Sequence, residues 1–312
     1  MKIVTTLLAG LLSLLLFGCG DSGYEKRNGV WHYDGIALHR ITQPDQFKPL
    51  LGPFAKGADA GYFRGASIMD SDGPSFEALD EHYARDKSRA YYCDTYRKGQ
   101  EYYTTKHDRI VVLEGVEPAS FRLLKERYAR DAGKLFFEGV PVAVKDLNSF
   151  EILEHAFQRD RVTGYYVRTP IPGSDGSTFT VLDSNYSKDK SSVFYSSNDP
   201  DAGPAARMTI RVTGALPASF VAKEAGYAAD ANQVYHQGKV LTKNVAGFQV
   251  QQYGYARSSN AVYYEGKPIA GADAATFATI ERRDEQADAR DAQASYLEGK
   301  RVPAGQVKAT GA

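Results

Sequence analysis

Six aspartates recur in nearly the same local setting along this chain: Asp86, Asp131, Asp160, Asp189, Asp230 and Asp291. Other acidic residues, Asp72, Glu117, Asp146 and Asp273, each stand four positions before a phenylalanine. Carboxylates in pairs can do general acid–base work, and glycoside hydrolysis needs two of them about 5–10 Å apart across a cleft. The same residue types also have a structural use. Asp at the start of a turn accepts hydrogen bonds from backbone N–H groups two residues on, and an acidic residue ahead of a helical turn caps it. Recurrence at a fixed spacing favours the structural use, because a repeated position that drifts between copies fits poorly with one shared active site.

Other reactive side chains are sparse. The histidines are His32, His39, His82, His107, His155 and His236, and no two stand at a metal-ligand spacing such as H-E-x-x-H. His32 and His236 fall at aromatic positions of the strand pattern and read as packing residues. The sequence holds no P-loop, nucleophile elbow or dinucleotide-binding glycine motif, so no cofactor is expected. Asp70-Ser71-Asp72-Gly73 lacks the later oxygen ligands of a calcium loop. Basic and acidic residues balance at 38 each, which leaves no electrostatic footprint for nucleic acid.

The N-terminus carries a targeting pattern. Lys2 precedes an apolar run over residues 3–17, too short for a comfortable membrane span and suited to a signal peptide. Leu16-Phe17-Gly18-Cys19 resembles the lipobox of bacterial lipoproteins. That resemblance implies removal of residues 1–18 and lipidation of Cys19, and Gly20 in place of Asp after the cysteine implies delivery to the outer membrane. Residues 19–27 then read as the lipidated cysteine and a tether, and residues 304–312 as a disordered tail. Cys93 is the one thiol left, so no intramolecular disulfide is expected, and its place after Ala90-Tyr91-Tyr92 points to a buried, inert side chain.

Between these ends a repeat explains most of the chain. A Phe precedes an anchoring aromatic by seven residues at Phe47/Phe54, Phe76/Tyr83, Phe121/Tyr128, Phe150/Phe157, Phe179/Tyr186, Phe220/Tyr227 and Phe248/Tyr255. Eight residues after each anchor comes another aromatic: Tyr62, Tyr91, Phe136, Tyr165, Phe194, Tyr235 and Tyr263. The two aromatics flank a polar turn begun by the recurrent Asp, which predicts a hairpin. Gly65, Gly139, Gly238, Gly266 and Gly299 fit the positive φ that ends the second strand. The acidic residue four before each Phe predicts a short helical turn that plugs Phe into the core. One such unit cannot close a core alone, so units must stack. Longer intervals mark insertions after Tyr92 and after Tyr195. The first is expected to extend its hairpin, the second is mostly turn chemistry, and both are the expected carriers of specific function.

Tyr83-Ala84-Arg85-Asp86-Lys87 leading to Tyr91-Tyr92, and Tyr186-Ser187-Lys188-Asp189-Lys190 leading to Phe194-Tyr195, with the glycine and Asp-x-x-Ser/Thr-Phe signatures that follow, resemble the DKNYY repeat family of bacterial envelope proteins. The resemblance covers residues 28–303 and implies architecture and location, with no activity to carry over. The expected fold is mainly β: about seven to eight β-hairpin units with short helical turns in a solenoid-like array. A closed propeller-like ring is the alternative, held back by two strands being few for a blade. The expected function is a non-enzymatic binding or scaffolding module of the envelope, attached to the membrane through Cys19, with an envelope protein or glycan as partner. An envelope hydrolase acting on glycan or peptide is the competing reading.

Overall fold

A computed structural model describes residues 22–199, 201–203, 206–280 and 286–303. The signal segment 1–18, Cys19 and the tail 304–312 lie outside the described residues. The chain divides into two compact units, Met1–Val142 and Ala143–Ala312, and both are built from the same part.

That part is a small antiparallel sheet. Among the described residues there are nine, an opening sheet of three strands and eight of four. The inner two strands of each are the expected hairpin: Tyr83–Arg85 pairs with Ala90–Tyr96, and Tyr227–Ala229 with Val234–His236. The chain is therefore a mainly β repeat array. The count of two strands per unit is corrected to four. An outer strand follows each Phe, such as Glu77–Ala78 or Thr180–Val181, and another follows the hairpin, such as Ala66–Ser67 or Lys267–Pro268. Most outer strands are two residues long, too short for a period-two pattern to show in the sequence. The tether is corrected too. Tyr24–Arg27 is a strand paired with Val30–Tyr33, and Tyr24 is the anchor of the opening sheet.

Within each compact unit, Phe acts as mortar between sheets, packing against the anchor before it and the second aromatic after it: Phe76 lies 6.1 Å from Phe54 and 5.8 Å from Tyr91, and Phe220 lies 5.4 Å from Tyr186 and 5.3 Å from Tyr235, between ring centres. Tilted contacts at these distances suit aromatic quadrupoles. The segment before Phe forms single 3₁₀ turns at Pro118–Ser120 and Leu147–Ser149 and simple turns elsewhere, with Asp146 and Asp72 accepting the N–H groups of Asn148 and Ser75.

A second device links neighbouring sheets. Most inner hairpins turn onto the last strand through two residues of positive φ with glycine second, such as Glu138-Gly139 and Glu265-Gly266, the type I′ arrangement, while Val167-Arg168 makes the same turn without glycine. The N–H of that glycine has no strand partner. The phenol of the preceding sheet's anchor accepts it and donates to a carbonyl in the same sheet. Tyr227 Oη accepts from Gly266 N at 2.9 Å and donates to Gly254 O at 3.1 Å. Tyr24, Tyr83 and Tyr186 do the same with Gly65 and Pro53 O, Gly139 and Arg127 O, and Gly238 and Gly226 O. Close contact enforces the glycine as well: a Cβ on Gly139 would stand 2.7 Å from that of Tyr92. Tyr227→Phe leaves a half-buried N–H and a carbonyl without their partner, so it is expected to cost about 1 kcal/mol in chemical denaturation at unchanged m-value.

Candidate functional site

The six recurrent aspartates are junctions within their own units. Asp160 Oδ1 accepts the N–H groups of Val162 and Thr163, which fixes the turn. Its Oδ2 accepts the N–H groups of Lys145 and Asp146 and the phenol of Tyr165. Asp86, Asp230 and Asp291 repeat this with Tyr91, Tyr235 and Tyr296. Asp131 and Asp189 accept the same classes of N–H, but the aromatic opposite is Phe136 or Phe194 and brings no phenol. One carboxylate thus ties together the hairpin turn, the turn that leads to the plugging Phe, and usually the second aromatic.

These bonds decide the titration. Burial pushes the carboxyls of Asp86 and Asp160 up, but hydrogen bonds from Tyr91 and Tyr165 and from the backbone outweigh it and leave both below the ordinary value. Asp131 and Asp230 are lowered likewise against burial, chiefly by backbone N–H groups. A carboxylate lowered on folding stabilises the fold above the unfolded carboxyl value of about 4, and that stability is lost as pH falls through the folded value. Burial raises the Tyr83 and Tyr227 phenols to about 12, so their contribution is intact below the unfolded value of about 10 and is lost as pH rises towards 12. Thermal melts followed by circular dichroism should be flat from about pH 5 to 9 and fall on both sides.

The structure brings together a constellation that the 29-residue spacing hides. Phe replaces Tyr as anchor at Phe54 and Phe157. In the sheet after each, the hairpin does not turn at Glu-Gly but runs on: Ala90–Tyr96 pairs with His107–Val112, and Val193–Asn198 with Arg207–Arg211. The ladder supplies partners for the N–H groups that a phenol would otherwise accept, so a hydrophobic anchor suffices. At the root of each long hairpin Asp80 or Asp183 caps the entry to the inner strand, accepting the N–H groups of residues two and three further on. A side chain from that entry reaches the diverging strand: His82 Nδ1 lies 3.2 Å from Cys93 O, and Asn185 Nδ2 donates to Ser196 O at 2.8 Å.

Upstream the equivalence continues. Ser71 and Ser174 each accept a glycine N–H, from Gly61 and Gly164, and donate to Ile68 O and Ile171 O. Lys87 pairs with Asp72 at 2.6 Å and Lys190 with Asp175 at 2.8 Å. From Phe54 to Phe157 and from Tyr83 to Tyr186 the step is the same 103 residues. The chain therefore carries two copies of a two-sheet module, each of which raises a long hairpin from its second sheet. The signal was present in the sequence as a second, longer period, with Phe anchors and Asp-x-His/Asn-Tyr entries recurring together. Counting only the shorter period passes over it.

Cys93 sits at the root of the first hairpin, buried against Phe54 and Phe76, and burial pushes its thiol well up. His236 packs on Tyr227 with ring centres 4.6 Å apart, and burial lowers its pKa. Beyond the root the first hairpin is wet. Tyr96 stacks on His107 at 5.3 Å, Gly99–Glu101 forms a 3₁₀ turn, and Tyr102 and Tyr103 meet edge to face at 5.2 Å. The second insertion, expected as turn chemistry from Ser196 onward, is strand as far as Asn198. Among the described residues no group of three or more His, Cys, Asp or Glu is placed to hold a metal ion.

Four-stranded sheets mortared by aromatics, with two long hairpins raised from equivalent sockets, define an all-β repeat protein. The pattern of the DKNYY family matches residues 54–198 and again 157–300, and the chain belongs to that family. The two matches begin at Phe54 and Phe157, the anchors that open the two modules. No curated protein and no solved structure matches the chain.

Proposed function

We propose that this protein is a binding and scaffolding module of the bacterial cell envelope, tethered to the outer membrane through a lipidated Cys19, with its partner taken by the long hairpins. The observation that carries the binding reading is the duplicated socket. Two sheets give up the short Glu-Gly turn and its phenol bridge, and both use an Asp-capped entry and a side-chain clasp to hold a hairpin beyond the core. The recurrent aspartates, which would be the acid–base candidates of a hydrolase, spend their oxygens on turn and phenol hydrogen bonds. The targeting pattern at residues 1–19 supports the location.

Crosslinking and pull-down from intact cells tests both parts. The native protein should recover a defined envelope component. Cys19→Ala should leave the protein unlipidated and reduce that recovery, and replacement of residues 97–106 by a two-residue Asn-Gly turn should abolish or alter it at unchanged melting temperature. Identical recovery from all three forms would sink the reading.

A further inference from the structure

We propose that the tip of the first long hairpin is a receptor for an acidic glycan, an assignment that rests on the binding reading above. Its bulky apolar groups are the rings of Tyr96, Tyr102 and Tyr103, which are 43%, 52% and 89% exposed. Isolated exposed rings need no explanation, but three within eight residues at a folded tip do. The backbone that carries the rings is hydrogen-bonded. Arg97 Nη1 donates to Tyr102 O at 2.8 Å, and the N–H groups of Thr104 and Thr105 return to Glu101 O at 3.1 and 2.9 Å. One face of Tyr96 is covered by His107, and the Lys98 ammonium lies 6.0 Å from the ring centre.

Arg97, Lys98 and Lys106 bring three positive charges to this tip, and the one carboxylate, Glu101, is held by His107 at 3.0 Å. Ring faces for sugar C–H groups, cations for carboxylates, and hydroxyl and amide groups for sugar hydroxyls are the elements an acidic saccharide requires. The hydrogen-bonding side chains of the same tip, Gln100 and Thr104 among them, become partners for a sugar. Immersed in lipid they would be stripped of water without compensation. Nucleic acid would call for a wide basic field, which a chain with 38 residues of each sign does not have. The second hairpin is an internal control, because its described end presents Asn198, Asp199 and Asp201 and no aromatic.

The test is affinity electrophoresis of the mature chain in gels containing alginate, a polyuronate, with dextran as the neutral polymer and phosphatidylglycerol vesicles in a parallel flotation assay. Alginate should retard the native protein and dextran should not. Tyr103→Ala and Tyr102→Ala should each weaken retardation about three- to tenfold. Lys98→Ala with Lys106→Ala should remove most of its salt dependence, and Glu154→Ala, an exposed carboxylate outside both hairpins, should change nothing. Melting temperatures report that each variant is folded. Absence of retardation by alginate, equal retardation of native and Tyr103→Ala protein, or flotation with vesicles in place of alginate binding would each overturn the proposal. Failure here with a partner still lost from the pull-down on replacing residues 97–106 would refute the glycan and leave the binding reading standing.

Discussion

Replacing Asp160 by alanine is expected to destabilise the fold by about 3–4 kcal/mol, because hydrogen bonds to a charged acceptor contribute about 1.5–3 kcal/mol each and truncation leaves buried donors unpaired. Four backbone N–H groups and the Tyr165 phenol lose their acceptor together. Asp160→Asn keeps the geometry but turns an NH₂ towards some of these donors, so it should recover roughly half of the loss. Asp131→Ala is the graded comparison. Phe136 stands where Tyr165 does and brings no hydroxyl, so the cost should be smaller by about 1 kcal/mol. Urea unfolding of the three variants measures this. An Asp131 variant as damaged as the Asp160 variant would show that the phenol adds nothing.

Phe179→Ala should cost about 3–5 kcal/mol, the range for emptying an aromatic site in a packed core. Phe179 is 1% exposed, lies 6.1 Å from Phe157 between ring centres, and fills the space that Gly164 leaves open. A Cβ at Gly164 would stand 2.6 Å from that ring, so Gly164→Ala is also expected to be destabilising, by about 1–3 kcal/mol through overpacking. Phe150→Ala removes the same side chain from a half-buried position and should cost less than half as much. Because Phe179 clusters with Phe157 of one sheet and Phe194 of the next, hydrogen exchange in Phe179→Ala should rise in Phe157–Arg159 and in Val193–Asn198 together. Exchange confined to one of them would show that the sheets are not mortared as described.

The repeat was legible because its determinants are large and locally spaced. Phe, anchor and second aromatic stand seven and eight residues apart, and the turn Asp acts on N–H groups two and three residues on. Such short-range chemistry is written in consecutive residues. The outer strands were not legible, since residues such as Glu77–Ala78 become a strand only by lying beside an inner strand. Tyr24 reads as part of a tether from the sequence alone for a related reason. Its hairpin partner Tyr33 is near in sequence, but its phenol is satisfied by Pro53 and Gly65, far along the chain.

By itself the sequence determined that this is a mainly β repeat chain of the DKNYY type, with glycine at the left-handed turns and Phe in the core. Backbone sterics and ring burial favour those choices. Only the tertiary structure decided why an anchor is Tyr or Phe. At Tyr24, Tyr83, Tyr186 and Tyr227 the phenol serves a sheet that turns early and leaves a glycine N–H unpaired, and after Phe54 and Phe157 a ladder continues into a long hairpin with no such N–H to serve. That dependence runs between residues 39 to 56 positions apart, from Tyr227 with Gly266 to Tyr83 with Gly139, and it exists only once two sheets are stacked.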